Sequence, residues 1–108
     1  MDAQLKALAD PTRRTILRLV RDEERTVNEI AAEFAVSRPA ISQHLKVLSD
    51  AGLVTVRREA TRRWYRSSPE RIDEVRQWLG DFWAHGLEEL KRAAEQEEWP
   101  ERARRQRS

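Results

Sequence analysis

Apolar positions recur along the chain in two rhythms, one of three to four residues that marks helices and one short stretch that favours strands. Ala3, Leu5, Leu8 and Ala9 predict a brief amphipathic helix, too short to stand alone. Asp10-Pro11 then sets an acceptor for free helical amides beside a residue whose φ is already helical, so a second helix starts at Pro11. Its buried stripe is Ile16, Leu17 and Val20, with Arg13, Arg14, Arg18 and Arg21 on the other side, and Asp22-Glu-Glu-Arg25 reads as a polar loop. Thr26-Val-Asn-Glu29 matches a capping box, and Val27, Ile30, Ala31 and Phe34 carry that third helix to about Phe34.

Ser37-Arg38-Pro39 starts the next helix with a cap residue and an early proline. Ile41, Leu45 and Leu48 are its inner stripe, Ser42, Gln43, Lys46 and Ser49 its outer face, and Gly52 its end. Two short helices joined by a tight turn, the second apolar inside and hydrogen-bonding outside, form a helix-turn-helix pattern. From Leu53 the residues are β-prone on both sides of Ala60-Thr61, which predicts a hairpin whose turn lacks the usual Gly or Asn. Trp64 and Tyr65 are adjacent in its second strand, so one belongs to the core and the other lies beside the wing. Ser68-Pro69 begins a last helix in which Ile72, Val75, Leu79, Phe82, Trp83, Leu87, Leu90 and Ala94 recur for about seven turns, as far as Pro100. The fold class is mainly α with a small β-hairpin, a winged helix-turn-helix. One domain over residues 1–99 carries flanking helices for dimerisation, and residues 100–108 read as a disordered basic tail.

A chain of 108 residues, 37% charged and 39% hydrophobic, has enough apolar surface for one core and little to spare. The absence of cysteine removes disulfides, thiolate metal sites and cysteine nucleophiles. No apolar run suits a bilayer span or a signal peptide, so the expected location is cytoplasmic with no membrane partner. A net charge of +2 conceals a divided molecule. Residues 38–66 hold Arg38, Lys46, Arg57, Arg58, Arg62, Arg63 and Arg66 against Asp50 and Glu59, whereas residues 67–101 hold four basic and ten acidic groups. The basic excess falls on the second helix of the helix-turn-helix and on the hairpin after it, the elements of a winged helix that meet DNA. No glycine-rich phosphate loop or nucleophile triad supports an enzyme.

The candidate DNA contacts are Ser37, Arg38, Pro39, Ser42, Gln43, His44 and Lys46 on the helix and Arg57, Arg58, Arg62 and Arg63 on the wing. Ser37 caps the helix and offers its first amides to phosphate. Arg38, Ser42 and Gln43 are placed for base edges and Lys46 for phosphate, while the wing arginines suit phosphate or a narrow minor groove. His44 borders the buried stripe, and either internal bonding or DNA contact remains open for it. On the last helix Gly80 and Gly86 together forgo about 2 kcal/mol of helix propensity. Close approach of a partner helix is the expected compensation, and Leu5, Leu8, Leu79, Phe82, Trp83, Gly86, Leu87 and Leu90 are the candidate dimer interface.

Leu8-Ala-Asp-Pro-Thr-Arg-Arg-Thr-Ile-Leu17, Val36-Ser-Arg-Pro-Ala-Ile-Ser-Gln-His-Leu-Lys-Val-Leu48 with Ala51-Gly-Leu-Val54, and the Arg-rich hairpin ending in Trp64-Tyr65-Arg66 resemble the ArsR/SmtB winged-helix repressors over about residues 3 to 95. The resemblance implies a cytosolic homodimer, paired through its first and last helices, that binds a pseudo-palindromic operator in double-stranded DNA and blocks transcription until an effector loosens it. Where metal-sensing members carry Cys-x-Cys, this chain has Asn28-Glu-Ile-Ala-Ala-Glu33. At a second family metal site His85-x-x-Glu88 fits the later half, but Ile72 and Glu74 stand where the Asp and first His belong. Phe82-Trp83 followed by Leu87, Leu90 and Lys91 is similar to a branch without metal-binding cysteines, which implies no metal, no cofactor and an unidentified effector. Ala60-Thr61 replaces the glycine common at the family's wing tip. Two other readings stand beside this one: a winged helix used for protein contact, and a Zn²⁺-responsive repressor using His85 and Glu88.

Overall fold

Punctuation residues decide where each element begins and ends. The computed structural model describes residues 1–96, in the order α1 (Asp2–Leu8), α2 (Pro11–Leu19), β1 (Arg25–Thr26), α3 (Val27–Ala31), α4 (Arg38–Asp50), β2 (Val54–Glu59), β3 (Arg62–Ser67) and α5 (Pro69–Gln96). The predicted tail at 100–108 and the predicted helix end at Pro100 lie outside the described residues. The chain falls into two compact units, Met1–Val75 and the segment from Arg76 onward.

Each predicted cap is made. Asp10 is extended and its Oδ1 accepts from the Thr12 and Arg13 amides at 2.8 and 3.2 Å. Thr26 Oγ1 accepts from the Glu29 amide while Glu29 Oε1 accepts from the Thr26 amide, both at 3.2 Å, which completes the capping box. Ser37 Oγ accepts from the Ala40 amide at 3.3 Å. At the far end of α4 the amides of Gly52 and Leu53 donate to Ser49 O and Leu48 O, both at 2.9 Å, the pairing of a Schellman turn. That turn needs Gly52, whose φ is +75° and whose absent Cβ would lie 3.1 Å from Arg71 Nε.

Two predicted boundaries move. Helix α3 ends at Ala31 and not Phe34, because the Glu33 and Phe34 amides bond three residues back, to Ile30 O and Ala31 O, and tighten the chain into the turn before Ser37. Phe34 still packs on the core. The expected loop through Arg25 stops one residue early, since Arg25 and Thr26 pair with Tyr65 and Trp64 and satisfy the free edge of β3. The sheet order is therefore β1-β3-β2. The hairpin register runs from Val54 opposite Ser67 to Glu59 opposite Arg62, which leaves Ala60-Thr61 as a two-residue turn. Ala60 takes a φ of +57° without being glycine.

The core is built around α4. Ile41, Leu45 and Leu48 are 1% exposed or less and join Ile16, Val20, Ile30 and Leu53 in one cluster, closed on the sheet side by Val54 and Tyr65 and along α5 by Ile72 and Val75. Tyr65 is thus the inward member of the aromatic pair, and Trp64 lies half-buried on the other face. Among the described residues no helix is long and apolar enough to cross a membrane.

Three substitutions test these placements in urea denaturation with an unchanged m value. Gly52→Ala is expected to lose about 1–2 kcal/mol and Ala60→Gly to gain up to about 1 kcal/mol, because each reverses the match between residue and positive φ. The Arg13 amide, then the Thr12 amide and the Arg13 charge, hold the Asp10 carboxyl below its ordinary 3.8. A carboxyl lowered on folding contributes stability above the unfolded value, and that contribution disappears as pH falls through the folded value. The stability difference between wild type and Asp10→Asn is therefore expected to shrink steadily between pH 5 and pH 3.

Candidate nucleic-acid interface

Because α4 buries Ile41, Leu45 and Leu48, the same helical period turns Ser42, Gln43 and Lys46 outward, and all three are exposed. Strand alternation does the equivalent on the wing. Cross-strand partners share a face, so Val56 with Tyr65 and Arg58 with Arg63 form one side of the ribbon, and Arg57 with Trp64 the other. The first side and the outer face of α4 enclose an open groove of about 1280 Å³. Arg38, Ser42, Gln43 and Lys46 line it from α4, and Arg58, Arg62 and Arg63 from the wing.

The electrostatics of this groove are unbalanced. Among the described residues Arg38, Arg58, Arg62 and Arg63 have no ion-pair partner, and Arg58 stands directly opposite Arg63, an arrangement that is unfavourable in isolation. Lys46 Nζ lies 3.1 Å from Asp50 Oδ2, but both side chains are about 70% exposed, so the pair is weak and readily exchanged. Glu29 and Asp50 are the carboxylates on the groove wall.

Four of the predicted contact residues are placed differently. Arg57 lies outside the groove and bonds Glu59 and Glu24, each at 2.9 Å, with its guanidinium 5.7 Å over the Trp64 ring. Those bonds, to Glu59 first and then Glu24, strengthen its hold on its proton and brace the wing against the residue before β1. Ser37 and Pro39 sit exposed at the start of α4 and do not line the groove. His44 has an internal partner, since its Nδ1 lies 3.3 Å from Arg13 Nη1 of α2. Asn28 and Thr61 line the groove without having been singled out in the sequence, although Asn28 sits within the capping box of α3.

In the second unit the candidate dimer residues form an exposed apolar face. Leu79, Phe82, Trp83, Leu87 and Leu90 are between 45% and 66% exposed. Trp78 extends the face and stacks on Phe82, with ring centroids 5.5 Å apart. Among the described residues, and apart from the helix's own backbone and chain neighbours, nothing lies within 4 Å of where a Cβ would stand on Gly80 or Gly86. In the first unit Leu5 and Leu8 are half-buried. His85 Nε2 lies 3.4 Å from Glu89 Oε1, one turn onward, and among the described residues no three His, Asp or Glu side chains converge on a point.

A helix-turn-helix whose second helix presents a polar face beside a cationic β-ribbon defines a DNA-binding domain of the winged helix-turn-helix class. Residues 10–56 match the model of the bacterial regulatory protein arsR family. The chain is 44% identical over 86 residues to the HTH-type transcriptional regulator Rv2034 of Mycobacterium tuberculosis, spanning 80% of each chain. It is 32% identical over 90 residues to the transcriptional repressor SdpR of Bacillus subtilis, spanning 83% of this chain and all of that one. A homodimeric winged helix-turn-helix DNA-binding domain from Mycobacterium bovis superposes with a TM-score of 0.62 at 36% identity, covering 74% of this chain and 77% of that one. The chain belongs to the arsR family of transcriptional regulators.

Replacing Arg58 or Arg63 by Ala is expected to leave folding stability unchanged or raise it by about 0.2–1 kcal/mol, since each removes one member of a like-charged cross-strand pair. Arg57→Ala is expected to lower stability, because it leaves Glu24 and Glu59 without their partner. Thermal unfolding at low ionic strength distinguishes the two cases.

Proposed function

We propose that the protein acts in the cytoplasm as a homodimeric repressor that binds a pseudo-palindromic operator through two copies of this groove and carries out no catalysis. The observation that carries the proposal is the set of arginines lining the groove on and opposite the polar side of α4 that have no ion-pair partner among the described residues. A surface whose charges repel one another in the free protein is matched to a polyanion, and phosphates supply the missing counter-charge.

The roles follow from position. Ser37 and the first amides of α4 hold a phosphate, while Arg38, Ser42 and Gln43 meet base edges, with arginine suited to guanine and glutamine to adenine. Lys46 exchanges Asp50 for a backbone phosphate. Arg58, Arg62 and Arg63 carry the wing onto the flanking backbone and fix the register of the helix without reading sequence themselves. The repressor name of the Bacillus subtilis relative supports the direction of regulation, and the homodimeric Mycobacterium bovis domain supports the subunit arrangement.

The α5 face supports pairing on its own terms. At about 100° per residue, Trp78, Phe82, Gly86, Leu79, Leu90, Trp83 and Leu87 span roughly half of the helix circumference, wider than a single helix contact requires. The second subunit's α5 fits such a face, and Leu5 and Leu8 of α1 are a separate candidate contact. Gly86 lies near the middle of the arc, where a missing side chain permits close approach, and Gly80 lies beyond its edge.

The test begins with selection of bound fragments from genomic DNA, with and without Zn²⁺. An enriched palindrome with half-sites about 34 Å apart is expected, together with a dimer in sedimentation at micromolar concentration. No enriched palindrome would favour a protein partner instead, and a Zn²⁺-dependent change would bring His85 and Glu88 into the mechanism. On the selected site, Arg58→Ala and Arg63→Ala are each expected to reduce the slope of log affinity against log salt by about 0.9, while Arg57→Ala leaves it unchanged. Gln43→Ala is expected to lose about 1–3 kcal/mol on the operator and far less on random duplex.

A further inference from the structure

Helix α1 has seven residues and no side-chain cap, so it has little stability of its own. Two of the carbonyls at its C-terminal end are nevertheless taken up by one guanidinium. Arg13 Nε donates to Ala7 O at 2.7 Å, and Arg13 Nη2 donates to Lys6 O at 3.1 Å. The remaining arm of the same planar fork, Nη1, reaches His44 Nδ1 at 3.3 Å. Arginine carries only donors, so Nδ1 must accept and the ring proton sits on Nε2. A second tie runs from Gln4 Nε2 to Ala51 O at 2.8 Å, at the C-cap of α4. Helix α1 therefore grips α4 at two points about two turns apart.

The buried stripe of α4 fixes which face looks outward, and His44 immediately follows Ser42 and Gln43, so holding its ring trims the rotation of that turn and with it the direction in which those two side chains project. From this arrangement we infer that Arg13 is a positioning residue for operator discrimination. It links α1, which carries Leu5 and Leu8, to the azimuth of the recognition helix through His44. Subunit pairing through α1 and correct aim of α4 are then coupled, at the end of α4 that carries Ser42 and Gln43, through Arg13, because whatever orders α1 also orders the acceptors that hold Arg13. This rests on the DNA-binding and dimeric reading above. Arg14, whose Nη1 donates to Leu8 O at 2.7 Å, supports the end of α1 but does not reach α4, and serves as the control.

The experiment measures affinity for the selected operator and for a random duplex at one salt concentration, well below each variant's unfolding temperature. The proteins are wild type, Arg13→Gln, His44→Leu, the double variant, His44→Asn and Arg14→Gln. Arg13→Gln and His44→Leu are each expected to weaken operator binding about tenfold while random-duplex binding stays within about twofold. The double variant is expected to be no weaker than either single one. His44→Asn, whose Oδ1 stands where Nδ1 stood, is expected to recover most of the loss, and Arg14→Gln to show little. Additive losses, equal losses on both duplexes, or His44→Asn as weak as His44→Leu would overturn the relay. An effect of His44→Leu without one of Arg13→Gln would instead make His44 a direct DNA contact. Failure of the wild type itself to prefer its selected site would overturn the DNA-binding reading and not the relay.

Discussion

The burial of Ile41, Leu45 and Leu48 is the constraint on which the rest depends. Three aliphatic side chains on one stripe leave α4 a single way to sit, and α1, α2, α3 and β2 all lie against it. Truncating any of them would open a cavity at a cost of about 2–5 kcal/mol, a large part of the stability of a domain this size. Ser42, Gln43 and Lys46 point outward because the stripe points inward. The wing is placed by the same core, since Val54 and Tyr65 anchor its two strands beside Leu53. The groove is thus a by-product of hydrophobic packing, with two rigid walls whose spacing is set before any ligand arrives.

Charge is then added to a geometry that is already settled. Arginines whose work is structural are compensated: Arg57 by Glu59 and Glu24, Arg71 by Glu74, and Arg13, Arg14 and Arg25 by backbone carbonyls. Among the described residues the arginines of the groove have no such partner, and the Arg58–Arg63 pair even opposes the hairpin that carries it. The turn between those strands is strained as well, with Ala60 at positive φ. A wing that is mildly unfavourable by itself is relieved wherever a phosphate backbone supplies the missing counter-charge.

Features local in sequence were legible, and features that join distant residues were not. Asp10, Thr26 and Ser37 announce their helices because a cap is defined by its next three residues, and Gly52 announces an end for the same reason. Strand β1 was missed because two residues carry no period, and the end of α3 was overrun because Phe34 keeps helical spacing while the backbone tightens beneath it. Arg57 looked equivalent to Arg58 by composition. Alternation places it on the other face, and its partner Glu24 lies 33 residues away. His44 met Arg13 across 31 residues, a pairing no spacing rule reveals.

The central claim is that the outer face of α4 reads base pairs while the wing holds the backbone, and amide chemical-shift mapping tests it most directly. Labelled protein would be titrated with the selected operator and with a random duplex of equal length at matched ionic strength. The expected pattern is a set of shifts at 38–46 that differs between the two duplexes, and a set at 58–63 that is the same for both. Shifts confined to other elements, or shifts at 38–46 that are identical on the two duplexes, would contradict it.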